Sequence, residues 1–146
     1  MPDFIKLPSE RVEQLRQISA ARRIAISDLI AGFVREQITR GVIPADVPGI
    51  TVKRVRKKVH IDFGDFEKVL DADVATAFAT ALRLMSEPVK NPFSMKQFAL
   101  NLAGAHVVGI HRQGTGIKIK QGDASRTLAP SIAFDLAQLI GAAARQ

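Results

Sequence analysis

The chain has 146 residues, 47% of them apolar, a formal net charge of +7 and no cysteine. It is long enough to bury a core and to hold one domain plus a small second one, while the missing cysteine excludes a disulfide framework and a zinc–thiolate site. No run approaches the roughly twenty apolar residues that span a bilayer, and the first residues lack the charged-then-apolar order of a secretion signal, so the expectation is a cytoplasmic protein with no membrane partner.

From Phe4 to Leu7 the sides alternate, with Ile5 and Leu7 on one face and Phe4 and Lys6 on the other, until Pro8 ends the strand. From Ser9 the spacing becomes helical through Val12, Leu15 and Ile18. After Arg22-Arg23-Ile24-Ala25-Ile26 a second helical set begins with Leu29, Ile30, Phe33, Val34 and Ile38, and Arg40-Gly41 closes it. A lone strand cannot satisfy its own ladder, and so small a helical hairpin cannot bury its apolar stripe. Residues 1–41 are therefore expected to fold by pairing with a second copy, as a homodimer.

Over about residues 3–41 the chain resembles the ribbon-helix-helix family, the fold of met-repressor-like and Arc-like proteins. The resemblance rests on Ile5-Lys6-Leu7-Pro8, Val12, Leu15, Ile18 and Ser27-Asp28-Leu29-Ile30. It implies an antiparallel two-chain ribbon in the major groove of double-stranded DNA, with Phe4 and Lys6 at the base edges and Pro2 at the margin. It also implies that the backbone amides of Ala25, Ile26 and Ser27, at the start of the second helix, meet a phosphate. Three positions depart from the family pattern. Arg23 replaces the usual Gly of the inter-helix turn. Ala25 replaces the usual Ser or Thr cap, leaving Ser27 and Asp28 to meet the exposed amides. Phe4 replaces a polar reader, so that its ring can press on thymine methyls but donates no hydrogen bond, and sequence readout is either poor or rests on Lys6.

Gly41-Val-Ile-Pro-Ala-Asp-Val-Pro-Gly49 has two Pro, two Gly and no helical spacing, so residues 42–49 read as a semi-rigid linker. The basic excess follows it. Residues 1–50 carry seven Lys or Arg against six acids, residues 51–63 five against one, and residues 64–146 nine against seven. Alternation through 51–63 places Val55, Val59, Ile61 and Phe63 on one face and Arg54, Arg56, Lys58 and His60 on the other. Arg54, Arg56 and Lys58 are thus candidate phosphate contacts, or the charged face that keeps a strand soluble.

Self-comparison aligns residues 58–82 with 116–140 at an offset of 58 without a gap. Gly64-Asp65 falls on Gly122-Asp123, Leu70 on Leu128, Ala75 on Ala133 and Ala79 on Ala137. This reads as an internal duplication, with copies at about 50–86 and 106–144. Each is a strand, a tight Gly-Asp turn, a second strand and a helix, with an earlier strand at about Ile50 to Val52 or Val107 to Ile110. The helices are expected near 71–86 and 130–144, with Asp71 and Asp73 at the first turn of the former, favoured there by the helix dipole. Lys90 to Ser94 reads as a loop, and Met95 to Ala103 as a short helix capped by Ser94. Residues 50–146 then form a duplicated α+β domain of strand-strand-helix units, and the whole chain is α+β.

No catalytic constellation emerges. His60, His106 and His111 lack a metal spacing with a carboxylate, and Gly109 to Gly116 joins two strands and opens no helix, so it reads as a hairpin turn. Without Trp or Tyr there is no stacking platform for single strands. The expectation is no enzyme, no metal and no cofactor. What remains is a sequence-specific repressor acting as a homodimer or as a higher oligomer such as a tetramer, whose residues 50–146 join dimers or receive a protein partner. Alternatives are an antitoxin whose distal domain masks a toxin, and an accessory DNA-binding protein of plasmid transfer or partition.

Overall fold

The computed structural model describes residues 4–86, 109–114 and 116–146. Among these the chain is mixed α+β, with four helices and two small antiparallel sheets, and it divides into two compact units after Pro44.

The first unit is a helical hairpin, α1 (Ser9–Arg22) and α2 (Ile26–Thr39). Residues 4–8 lie outside any helix or strand, so the strand expected from Phe4 to Leu7 is not formed in the single chain, where it has no neighbour to complete its ladder. Pro8 stands at the N-cap of α1, where its missing N–H costs nothing. The turn between the helices is built on Arg23, held in the left-handed region at φ 54° and ψ 43°. The amides of Arg23 and Ile24 both reach back to the carbonyl of Ser19, and the Ser19 hydroxyl donates to the carbonyl of Ile24 at 2.6 Å. These bonds satisfy carbonyls and amides that a helix end leaves open. Neither helix contains a buried residue.

The second unit repeats one order of elements. Strands β1 (Thr51–Val55), β2 (Lys58–Asp62) and β3 (Glu67–Asp71) form a meander that runs into α3 (Ala72–Ser86). Strands β4 (Gly109–Gln113), β5 (Gly116–Gln121) and β6 (Ala124–Leu128) form a second meander, followed by α4 (Pro130–Ala144). The starts of β1, β2 and α3 precede those of β4, β5 and α4 by 58 residues. Each half therefore has three strands and a helix, with β1 and β4 in the place of the earlier strand expected before each unit. The β2–β3 and β5–β6 turns carry Gly64 and Gly122 at positive φ, a conformation open to Gly without cost.

The halves interlock through their helices. α4 packs along α3 and onto β1 and β2 of the first sheet, while α3 reaches β4 of the second. Close approach is possible because the facing residues are small: a Cβ placed on Gly141 would lie 4.0 Å from that of Ala79. One continuous core results, from Val59, Ile61, Leu70 and Leu82 of the first half to Ile117, Ile119, Leu136 and Ile140 of the second. A single half buries too little to close such a core alone.

Three sequence expectations change here. Residues 51–63 are a hairpin and not one strand: Val55 pairs with Lys58 across a two-residue turn at Arg56-Lys57. The proposed linker 42–49 is split, because Val47 and Ile50 are buried in the distal core and bridge one another, so the second unit begins at Ala45. Asp71 ends β3 and does not open α3, leaving Asp73 alone in the first turn. The expected loop 90–94, the helix 95–103 and His106 lie outside the described residues.

Candidate nucleic-acid interface

Phe4 and Lys6, the expected base readers, sit on the exposed stretch before α1, Phe4 with 91% of its surface accessible. Ile5 and Leu7, on the other side of that stretch, are exposed as well. Ala25, Ile26 and Ser27 occupy the start of α2. Ala25 is the N-cap, with φ −60° and ψ 148°, and its methyl group makes no cap hydrogen bond. Its carbonyl accepts from the amides of Asp28 and Leu29, each at 3.0 Å. Asp28 in the first turn carries a negative charge beside the positive end of the helix dipole, and an incoming phosphate would meet that charge too.

The basic segment of the second unit does not form a common face. Cross-strand partners share a face of a sheet, so the pairs Arg54↔Val59 and Val52↔Ile61 turn Arg54 inward with the core. Its guanidinium is spent there: Nη1 donates to the carbonyls of Ala143 and Ala144 at 3.2 and 2.9 Å, and Nε to the carbonyl of Arg56 at 2.6 Å. A cation on the last carbonyls of α4 meets both their unsatisfied lone pairs and the negative end of the helix dipole. Arg54 therefore caps the C-terminal end of α4 and does not stand on one face with Lys58.

Arg56 sits in the hairpin turn at φ 58° and is exposed. Lys58 lies on the outer face, 3.7 Å from the Asp71 carboxylate across the sheet. His60 shares that face, with Nδ1 3.2 Å from Oε1 of Glu67. Val55 is outward with them and not inward with Val59 and Ile61. Of the expected cationic face, the sheet thus keeps Lys58 and His60, each beside a carboxylate.

The second half has its own inward cation, which the sequence reading did not single out. Arg126 donates from Nη1 to the carbonyl of Phe63 at 2.9 Å and to that of Gly49 at 3.3 Å, tying the second sheet to the loops of the first. Gly49 holds φ +83°, and a Cβ there would come within 3.2 Å of the Arg126 guanidinium. The sequence reading also passed over Lys118 and Lys120, on the outer face of β5. The signal was present in Ile117-Lys118-Ile119-Lys120, a period of two with isoleucines buried and lysines out.

Among the described residues no three His, Cys, Asp or Glu side chains group to hold a metal, and no helix is long and apolar enough to cross a membrane. In comparison with known proteins, no family model, no curated protein and no solved structure matches the chain.

Proposed function

We propose that the chain is a sequence-specific DNA-binding protein, a cytoplasmic transcriptional repressor that acts as a homodimer or higher oligomer through a ribbon-helix-helix module at its N-terminus. The observation that carries this reading is the unburied apolar surface of the first unit. Phe4, Ile5, Leu7, Ile18, Ile30 and Phe33 are all exposed, although they recur at strand and then helix spacing. Periodic apolar residues that find no core in their own chain call for a partner surface. A second copy supplies one, because its residues 4–7 can complete a two-stranded ladder while its helices cover the stripe. Pairing would then leave Phe4 and Lys6 on the outer face of the ribbon, where a major groove can be read.

The matched order and spacing of elements in the second unit support an internal duplication. On this reading the second unit joins dimers or receives a partner, and the first unit carries the sequence preference.

The test is a fluorescence-anisotropy titration of the purified chain against the duplex flanking its gene and a scrambled duplex, at about 150 mM salt, where non-specific affinity is low. Tighter binding to the flanking duplex is expected. Failure to bind either duplex, together with a monomeric mass in sedimentation, overturns the reading.

A further inference from the structure

The two sheets of the second unit present outer faces that match position for position, and their charges differ. Cross-strand register on the first sheet lines up Thr51, Asp62 and Glu67, then Lys53, His60 and Val69, then Val55, Lys58 and Asp71. With two lysines against three acids, that face sums to −1 with His60 neutral. The corresponding residues of β5 and β6, 58 positions on, are Gly116 for Lys58, Lys118 for His60, Lys120 for Asp62, Ser125 for Glu67 and Thr127 for Val69. Asp71 corresponds to Ala129, and in register Gly109, His111 and Gln113 of β4 take the remaining positions, so none of these positions carries an acid. With two lysines it sums to +2.

The pairing of the cations differs as well. Among the described residues, on the first face Lys58 and His60 each lie beside a carboxylate and Lys53 has no ion-pair partner, whereas on the second neither Lys118 nor Lys120 has one. Lys118 is paired in register with Thr127, and Lys120 with Ser125, so a hydroxyl-bearing residue stands across the strand from each lysine. The two lysines are two residues apart on one strand, hence about 7 Å apart on the same face. Among the described residues of β5 and β6 there is no Phe, Tyr or Trp on which bases could stack. Unneutralised cations flanked by hydroxyl donors, without aromatics, suit the phosphate backbone of a duplex and not unstacked bases.

We infer that the outer face of β5 and β6 is a second, sequence-independent contact for duplex DNA, with Lys118 and Lys120 on phosphates and Ser125 and Thr127 as neighbouring donors. The inference rests on the DNA-binding reading above and moves the phosphate contact of the second unit from the first sheet to the second.

The experiment measures affinity of the full chain for a scrambled duplex between about 50 and 200 mM salt. It compares wild type with Lys118→Gln/Lys120→Gln and with Lys53→Gln/Lys57→Gln, which removes two charges elsewhere. Loss of two phosphate contacts makes the slope of log affinity against log salt shallower by about 1.8, so affinity falls about 12-fold less across that range. The expected result is this change for Lys118→Gln/Lys120→Gln, with the preference for the flanking over the scrambled duplex retained, and an unchanged slope for Lys53→Gln/Lys57→Gln. Binding by wild type with an unaltered slope in Lys118→Gln/Lys120→Gln, or an equal change in both variants, overturns the inference and leaves the DNA-binding reading standing. No binding by wild type overturns both.

Discussion

Arg23 and Arg54 are cations with two different structural tasks, and the proposed function gives Lys6 a third. Arg23 is held at φ 54°, a conformation that costs an L-residue about 1–2 kcal/mol, whereas Gly adopts it freely but loses about 0.5–1 kcal/mol more on folding. Arg23→Gly is expected to stabilise the first unit by the difference, about 0.5–1 kcal/mol, read as a higher melting midpoint at fixed protein concentration. Arg54→Met keeps the apolar stem and removes the bonds to the carbonyls of Ala143 and Ala144. Hydrogen bonds from a charged donor contribute about 1.5–3 kcal/mol, so the urea midpoint of the second unit should fall while the salt dependence of DNA binding stays as it was. A slope shallower by about 0.9 would instead place Arg54 on a phosphate. Lys6→Ala should weaken binding to the preferred site by about 1–3 kcal/mol and flatten the preference over a scrambled duplex. Unchanged affinity for the preferred site would remove Lys6 from the base readers.

At the level of elements, α2 and the second helical pair solve opposite problems. α3 and α4 bury alanines and leucines against each other and against the sheets, so their apolar stripes are closed within one chain. The stripe of α2 stays open, with Ile30 half-exposed and Phe33 63% exposed. If a second copy covers that stripe, an aspartate at Ile30 places an unpaired charge in a dry interface. Ile30→Asp should then weaken the dimer by at least about 2 kcal/mol, roughly 30-fold, in sedimentation equilibrium. A dimer of undiminished strength would show that α2 faces solvent in the assembly. The surface ion pair between Lys58 and Asp71 carries no such consequence, since exposed pairs contribute about 0–1 kcal/mol.

Across the whole molecule the two units should differ in how their stability depends on concentration. The second unit has a core within its own chain, and the first has no buried residue in either helix. Association stabilises only what it completes, and its effect scales with protein concentration. Calorimetry of the full chain is therefore expected to show two transitions, of which one rises with concentration and is the one lost in Ile30→Asp. A single transition independent of concentration would contradict the division of labour between the units.

The sequence by itself determined which residues recur together: the helical spacings that became α1 and α2, the Gly-bearing turns at Gly64 and Gly122, and the offset of 58 that the starts of β4, β5 and α4 follow. Local periodicity records which residues share a face for as long as the chain runs without a turn. The tertiary structure alone decided what each face meets. The turn at Arg56-Lys57 lacks the Asn-Gly or Asp-Gly pair that marks a hairpin in a sequence. Its two residues change the parity of the alternation, so that Val55 falls with Lys58 and Arg54 with Val59. That shift turned Arg54 from a surface cation into the cap of α4, a helix nearly ninety residues further along the chain. The burial of Val47 in a Pro- and Gly-rich stretch has the same origin. A loop residue joins a core only when distant elements leave room for it, and that room is set by packing and not by the residues beside it.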